Sequence, residues 1–316
     1  MRIDTFRFKA DDKKEIFVYR GQPDEGVEVR GVIHIAHGMA EHAARYARLA
    51  KELTAAGFVV YANDHRGHGK TAANEGELGF IASEKSFQRA VDDITELIAF
   101  EKGQHPGLPV VLFGHSMGSF ISQAFLAESG WSLAGAVLSG SAGKPDILAT
   151  AGKVIARIER ARLGPKGKSK LLDKLSFEDF NKPFKPNRTR LDWLSRDNEE
   201  VDKYIADPLC GFICSTQVWV DLLDLLANNA KPSTRARVPK ELPIYVFAGS
   251  EDPVGAQTKS VTELVRGYRT AGVRDVTVRY YPGGRHEMVN ETNRDEVTRD
   301  LIAWLDAKIP RPAAKS

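Results

Sequence analysis

The feature that most constrains this chain is a regular alternation of short apolar runs with helical patterns, broken once by a long stretch that holds no buried strand. Residues 31–36 (GVIHIA), 58–62, 110–113, 134–138, 243–248 and 276–281 read as buried strands. Between and after them, residues 43–56, 86–101, 117–128, 257–271 and 294–307 have the spacing of helices packed on one face. Repeats of this kind build a mostly parallel central sheet flanked by helices, an α/β class fold. Ahead of them, residues 1–20 alternate apolar and polar, which predicts two antiparallel strands turning at residues 11–14. The break covers 144–237, so the expected organisation is a core of 1–143 and 238–309 with a helical insertion after the sixth strand. Residues 310–316 (PRPAAKS) read as a frayed tail.

Composition narrows the classes. The 316 residues are 42% hydrophobic and 28% charged, which excludes a disordered or collagen-like chain and permits a large core. The formal net charge of +3 gives no reason to expect nucleic acid as a partner. The N-terminus has no signal-peptide core, and no window approaches the roughly 20 apolar residues that span a bilayer. The expectation is a soluble, cytoplasmic protein. The two cysteines, Cys210 and Cys214, are too few for a disulfide framework or a zinc site. Four apart, they are expected on one helix face as small buried residues.

Ligands of open α/β sheets bind beyond the carboxyl ends of the strands, so the residues following each strand carry the functional signal. After strand 110–113 stands Gly114-His115-Ser116-Met117-Gly118, a G-x-S-x-G pattern between a strand and a helix. A sharp turn there lifts the Ser116 hydroxyl into the open and leaves no room for flanking side chains. A serine needs a base, and the base needs an acid to hold its tautomer. Asp252 follows strand 243–248 and His286 follows strand 276–281, in the order nucleophile, acid, base. Glu251 competes with Asp252, which is favoured because Pro253 marks a turn. Glu287 reads as a loop-stabilising carboxylate. His115 is expected to point away from the nucleophile, and His34, His42, His65, His68 and His105 read as structural. For the oxyanion, two backbone N–H donors are expected, from Met117 and from Met39 in the loop after strand 31–36, where Gly38 permits close approach.

These stretches together resemble the serine hydrolases of the α/β-hydrolase superfamily. The resemblance is to the monoacylglycerol lipase and lysophospholipase group of the serine aminopeptidase S33 type. It is carried by His37-Gly38-Met39-Ala40-Glu41-His42, Asp64-His65-Arg66-Gly67-His68-Gly69-Lys70-Thr71, Gly114–Gly118 and Gly284-Arg285-His286-Glu287, with Asp207-Pro208-Leu209 near the end of the insertion. Thr71 stands where that group often has Ser. The resemblance implies the α/β-hydrolase fold, a triad of Ser116, Asp252 and His286, and an insertion acting as a lid over an acyl pocket. It implies no cofactor and no metal. The expected substrate is a small-molecule ester or lipid with an apolar acyl chain. Gly38, Phe180, Trp193, Trp219 and Leu222 are candidates for the pocket wall. An amidase, peptidase or thioesterase on the same triad, and a non-catalytic small-molecule binding protein, remain alternatives; oligomeric state is open.

The small net charge hides an uneven distribution. Residues 150–190 hold twelve basic and four acidic residues, so this segment alone is +8 and the rest of the chain −5. Val154, Ile158 and Ala161 form an apolar stripe beside a basic face. The favoured reading is a solvated helix whose apolar stripe covers the core. The rival reading is a basic lid that makes transient contact with an anionic lipid surface.

Overall fold

A computed structural model of the protein describes residues 1–143 and 147–309; the expected insertion start at 144 and the tail 310–316 lie outside the described residues. Eight strands form one sheet: β1 (Arg2–Lys9), β2 (Glu15–Gln22), β3 (Gly31–Ala36), β4 (Phe58–Asn63), β5 (Val110–His115), β6 (Gly135–Ser139), β7 (Ile244–Gly249) and β8 (Val276–Tyr281). Their order is β1-β2-β4-β3-β5-β6-β7-β8. The β1–β2 and β2–β4 pairs are antiparallel and the others parallel. Every expected strand is present: 31–36 and 276–281 keep their expected bounds, and the ends of the others shift by one or two residues.

Strands β3, β4, β5 and β7 are buried at every position, as a sheet covered on both faces requires. The helices before the insertion are α1 (Ala47–Ala55), α2 (Ser86–Gln104) and α3 (Met117–Ser129). The insertion carries α4 (Ile147–Leu163), α5 (Lys170–Phe177), α6 (Asn198–Ala206), α7 (Thr216–Asn229) and α8 (Pro232–Arg235). Two more, α9 (Lys259–Thr270) and α10 (Arg294–Lys308), complete the chain. Alternate residues of one strand serve opposite faces. Val32 and Ala36 join the core under α2 and α3, whereas Ile33 and Ile35 pack with Leu49, Leu53, Leu301 and Leu305 of α1 and α10. A polar side chain within this sheet finds partners on both sides: the fully buried His34 ring bridges Glu101 Oε1 (2.6 Å) and Asn63 Oδ1 (3.1 Å).

Within the insertion, α7 buries Val218, Trp219 and Leu222 toward α2 and α3. Leu191, Trp193, Leu194, Val201 and Tyr204 form a separate small core. Two expectations fail here. Cys210 and Cys214 lie in an irregular segment between α6 and α7, not on a helix; the Asp207 carboxylate accepts the Leu209 N–H (2.8 Å) and turns the chain where a helix would run. The α4 stripe faces outward: Val154, Ile158 and Ala161 are exposed, and α4 packs through Ala156 instead.

The segment from Asp64 to Thr71 locks the sheet edge. Asp64 Oδ1 accepts the Ala43 N–H (2.8 Å) and Oδ2 the Lys70 N–H (2.7 Å). Gly69 has φ +47°, and a Cβ there would overlap the Asp64 carboxylate. Thr71 Oγ1 donates to the Asp64 carbonyl (2.7 Å) and accepts the Phe17 N–H (2.8 Å), a bridge that a serine hydroxyl could make equally. Thr71→Ser is therefore expected to shift the denaturation midpoint little. Thr71→Val, which strands both backbone groups, should cost about 1–3 kcal/mol by urea unfolding; equal midpoints for the two variants would disprove the bridge's contribution.

Candidate active site

The site begins with a steric constraint. A Cβ at Gly118 would overlap the Ala36 carbonyl of β3, and one at Gly114 would overlap Ser122 and the Gly118 carbonyl. Glycine at both positions lets α3 press onto the sheet, and Ser116 between them adopts φ +50°, ψ −120°. Such a conformation in a non-glycine residue is strained and is held by its surroundings. Here the Ser116 N–H donates to the Ser139 carbonyl (2.9 Å), while the Ser119 and Phe120 N–H groups donate to the Ser116 carbonyl. The side chain then projects into a cavity of about 230 Å³.

His286 reaches the same cavity from the loop after β8. Its Nδ1 donates to Asp252 Oδ1 at 3.0 Å, and Asp252, on the loop after β7, is wholly buried. Glu251 beside it is exposed. The two loops meet because Gly249 has no Cβ; one there would overlap the Gly284 carbonyl. Burial acts to lower the His286 pKa, but the Asp252 carboxylate and its hydrogen bond, aided by Glu287 and Glu41, outweigh it and raise the pKa above the ordinary imidazole value. His115 corrects an expectation: it lines the cavity, with its ring 4.8 Å from that of His286. Burial, and then the neighbouring His286, press its pKa down to about 4, so it stays neutral near pH 7.

Gly38 and Met39 line the cavity opposite, where Gly38 faces the Ser116 Cβ. Among the described residues, neither the Met39 nor the Met117 N–H has a protein acceptor. Met117 itself is buried at the start of α3. The insertion roofs this chemistry. Trp193 lines the cavity with its ring 5.0 Å from His286, and the His286 and Glu287 N–H groups donate to the Trp193 and Leu194 carbonyls. Tyr204 and Gly211 of the insertion hold the loop after β3, both donating to the Ala40 carbonyl (2.7 and 2.9 Å). Phe180, Trp219 and Leu222 do not reach the lining. Phe180 and Trp219 pack behind Phe177, which takes the wall position, and Leu222 belongs to the core under α7.

Sequence reasoning missed Leu191, Tyr204 and Phe212 in the wall. It also missed the roles of Glu41 and Arg45, although Glu41 belongs to a quoted motif. Arg45 pairs with Glu41 (2.5 Å) and twice with Glu287 (2.8 and 2.6 Å). Nearby, one ligand atom from each of His42, Asp207 and Cys210 lies within 4.8 Å of the others. His42 Nε2 is already bonded to Asp207 Oδ2 (2.9 Å), and burial raises the Cys210 thiol pKa despite the adjacent Arg45, so the arrangement favours that hydrogen bond over a cation. No helix among the described residues is long and apolar enough to cross a membrane.

The sequence profile of the family described as serine aminopeptidase, S33, matches residues 27–293. The chain is 29% identical over 284 residues to a monoacylglycerol lipase of Mycolicibacterium smegmatis, covering 87% of this chain and 88% of that one. It is 31% identical over 286 residues to a monoglyceride lipase of Homo sapiens, covering 88% and 83%. Among solved structures it is similar to a thermostable carboxyl esterase from Bacillus coagulans in complex with glycerol, with a TM-score of 0.89, 27% identity and coverage of 98% and 99%.

The charge balance at the histidines is directly measurable. Proton NMR titration should place the His286 pKa above 6.5 and that of His115 near 4. Asp252→Asn removes the largest raising charge and leaves burial opposed only by Glu287 and Glu41, so the His286 value should fall; an unchanged value would show that Asp252 does not set it.

Proposed function

This chain is a carboxylic ester hydrolase of the serine aminopeptidase S33 family of α/β-hydrolases, and we propose that it works through an acyl-enzyme formed on Ser116. His286 takes the Ser116 proton as the hydroxyl attacks the ester carbonyl. Asp252 holds the imidazole in the Nδ1–H tautomer and compensates the imidazolium that forms. The carbonyl oxygen, now carrying charge, receives the Met39 and Met117 N–H groups. His286 returns its proton to the leaving alcohol, then activates a water that releases the acid and frees Ser116. The observation that carries this reading is the convergence of Ser116, His286 and the unengaged Met39 N–H on one cavity. The raised His286 pKa implies a base that becomes competent only above pH 6.5, so the acidic limb of kcat/KM should lie there.

The substrate we infer has an apolar acyl group and a small polar alcohol, of monoacylglycerol or lysophospholipid type. Phe177, Leu191, Trp193, Leu194 and Phe212 supply apolar lining, while Glu41, Tyr204 and Glu287, with Asp173, Lys174, Glu178 and Arg190, supply polar groups. The names of the relatives, lipases and an esterase, agree with this division. The insertion acts as the lid. Two unpaired thiols, Cys210 and Cys214, fit the reducing conditions of the cytoplasm.

The partner we propose beyond the substrate is an anionic lipid surface. On α4, Val154 and Ile158 are 58% and 60% exposed; on α5, Leu171 and Leu175 are 47% and 51% exposed. Each pair is one helical turn apart and so shares a face. Lys168 and Lys170, at the start of α5, have no carboxylate partner among the described residues. Apolar side chains set among unpaired cations are the composition of a surface that rests in a headgroup layer. The same exposure argues against the solvated-helix reading, in which the stripe would face inward.

Ser116→Ala should retain the wild-type melting temperature, lose at least about a thousandfold in ester turnover, and fail to label with a fluorophosphonate. Matched p-nitrophenyl ester and anilide series should show faster ester cleavage at every chain length. Comparable turnover by the alanine variant, or faster anilide cleavage, would refute the assignment. For the surface, the double change Val154→Ser with Ile158→Ser should weaken co-sedimentation with anionic vesicles about tenfold. Equal binding of the native protein to neutral and anionic vesicles at low salt would sink the charge argument.

A further inference from the structure

Glu41 is a buried carboxylate that no catalytic step above uses, yet it lines the cavity. Its Oε1 accepts the Gly38 N–H at 2.5 Å and the Tyr46 hydroxyl at 2.9 Å, and its Oε2 accepts from Arg45 at 2.5 Å. On the other side of Gly38, its carbonyl accepts from His37 Nδ1 at 2.7 Å. Both backbone polar groups of this one glycine are therefore held by side chains. The N–H belongs to the peptide plane before Gly38 and the carbonyl to the plane after it, so both planes flanking the glycine are fixed. In a trans peptide the N–H points opposite to the preceding C=O. With the Gly38 carbonyl turned toward His37, the Met39 N–H is turned the other way, and no protein group accepts it among the described residues.

We propose that Glu41 is a positioning residue for the oxyanion donor: by gripping the Gly38 N–H it aims the Met39 N–H at the position the oxyanion occupies. This rests on the reading that Met39 is such a donor. The grip is anchored from outside the loop. Arg45, which bonds Glu41, also holds Glu287, and Glu287 directly follows His286. One guanidinium thus ties the donor loop to the loop of the general base, so that the two sides of the reacting carbonyl keep a common frame. A carboxylate suits this better than a neutral amide, because it accepts at both oxygens and the buried Arg45 requires charge on both sides. Burial acts against the ionised Glu41, but Arg45, His115 and the donors from Gly38 and Tyr46 outweigh it and hold its pKa below the ordinary value. A Cβ on Gly38 would approach Glu41 Oε1 to 2.7 Å, so glycine is needed for the grip as well.

The role separates from a merely structural one because it acts on the transition state alone. Glu41→Gln keeps the shape but places a donor against Arg45 or Gly38. It is expected to lower kcat about ten- to a hundredfold, less than outright removal of a donor, with KM changed less than about threefold. Two probes check the cause. An alkyl boronic acid gains a bond from Ser116 Oγ to boron, passes the serine proton to His286, and presents an anionic oxygen to the donors. The matching non-hydrolysable alkyl ether binds the cavity without forming any oxyanion. Boronate affinity should fall by the same factor as kcat, and ether affinity should stay within twofold. Tyr46→Phe, which removes a single bond to Glu41, should give the same pattern at two- to fivefold if the glutamine variant does not fold. Unchanged kcat, or boronate and ether affinities that fall together, would overturn the proposal. Failure of the underlying reading would look different: native protein that binds no boronate, or Ser116→Ala that binds it as well as native.

Discussion

The contact on which the site depends is the one between α3 and β3, where Gly118 lies against the Ala36 carbonyl with no space for a side chain. It sets the depth of α3 on the sheet, and that depth forces the turn at Ser116 into a conformation with positive φ. The strain is confined to one residue because the hydrogen bond to the Ser139 carbonyl and those from the Ser119 and Phe120 N–H groups hold the backbone on both sides. From this fixed nucleophile the other parts take their places by sheet order. The loop of the proposed oxyanion donor follows β3, next to β5, and the proposed acid and base follow β7 and β8, beyond β6. Parallel pairing brings all of these loops to one edge of the sheet.

A second layer of interactions keeps the edge together. Ala40, at φ +53°, offers a carbonyl that takes bonds from Tyr204 and Gly211 of the insertion, while Trp193 and Leu194 accept from the loop of His286. Arg285 adds donors to the Asp192 and Ser195 carbonyls, with its guanidinium over the Phe184 ring at 4.3 Å. The roof is thus bonded to the donor loop at one end and to the base loop at the other. Backbone carbonyls make up most of these acceptors, which explains why side-chain identity in the insertion carries little trace of the arrangement.

The strands and motifs were legible because each is local. A run such as GVIHIA declares a buried strand by itself, and the glycines around Ser116 declare the turn. The order Ser116, Asp252, His286 follows from which strand each one ends, so the hydrogen bond between Asp252 and His286 came with it. What stayed hidden needed long-range packing. Whether Phe177 or Phe180 faces the cavity depends on how α5 meets Trp193, and the pattern of aromatic residues is the same for both. The outward turn of Val154 and Ile158 was unreadable for a similar reason: α4 has apolar residues on two faces, and only its contact with α7 selects Ala156 for the inside. His115 was misjudged because neighbours in sequence at a sharp turn need not diverge; its ring folds back to pack on His286.

The insertion leaves the sheet after β6 and returns to it at β7, and these two strands pair directly, Ala136 opposite Ile244. Because the pair is parallel, the chain leaves β6 at Ser139, on the carboxyl edge of the sheet, and enters β7 at Ile244, on the opposite edge, so the insertion also serves as the crossover between the two strands. A connection that contributes no strand to the sheet can be lengthened, shortened or replaced over evolutionary time without shifting the register of any strand. The residues proposed to break the bond stay on the frame, while most of those proposed to contact the acyl group ride on the exchangeable piece. Descent with change in that piece alone would give new preferences to an old chemistry, and the same junction is where a protein engineer would cut.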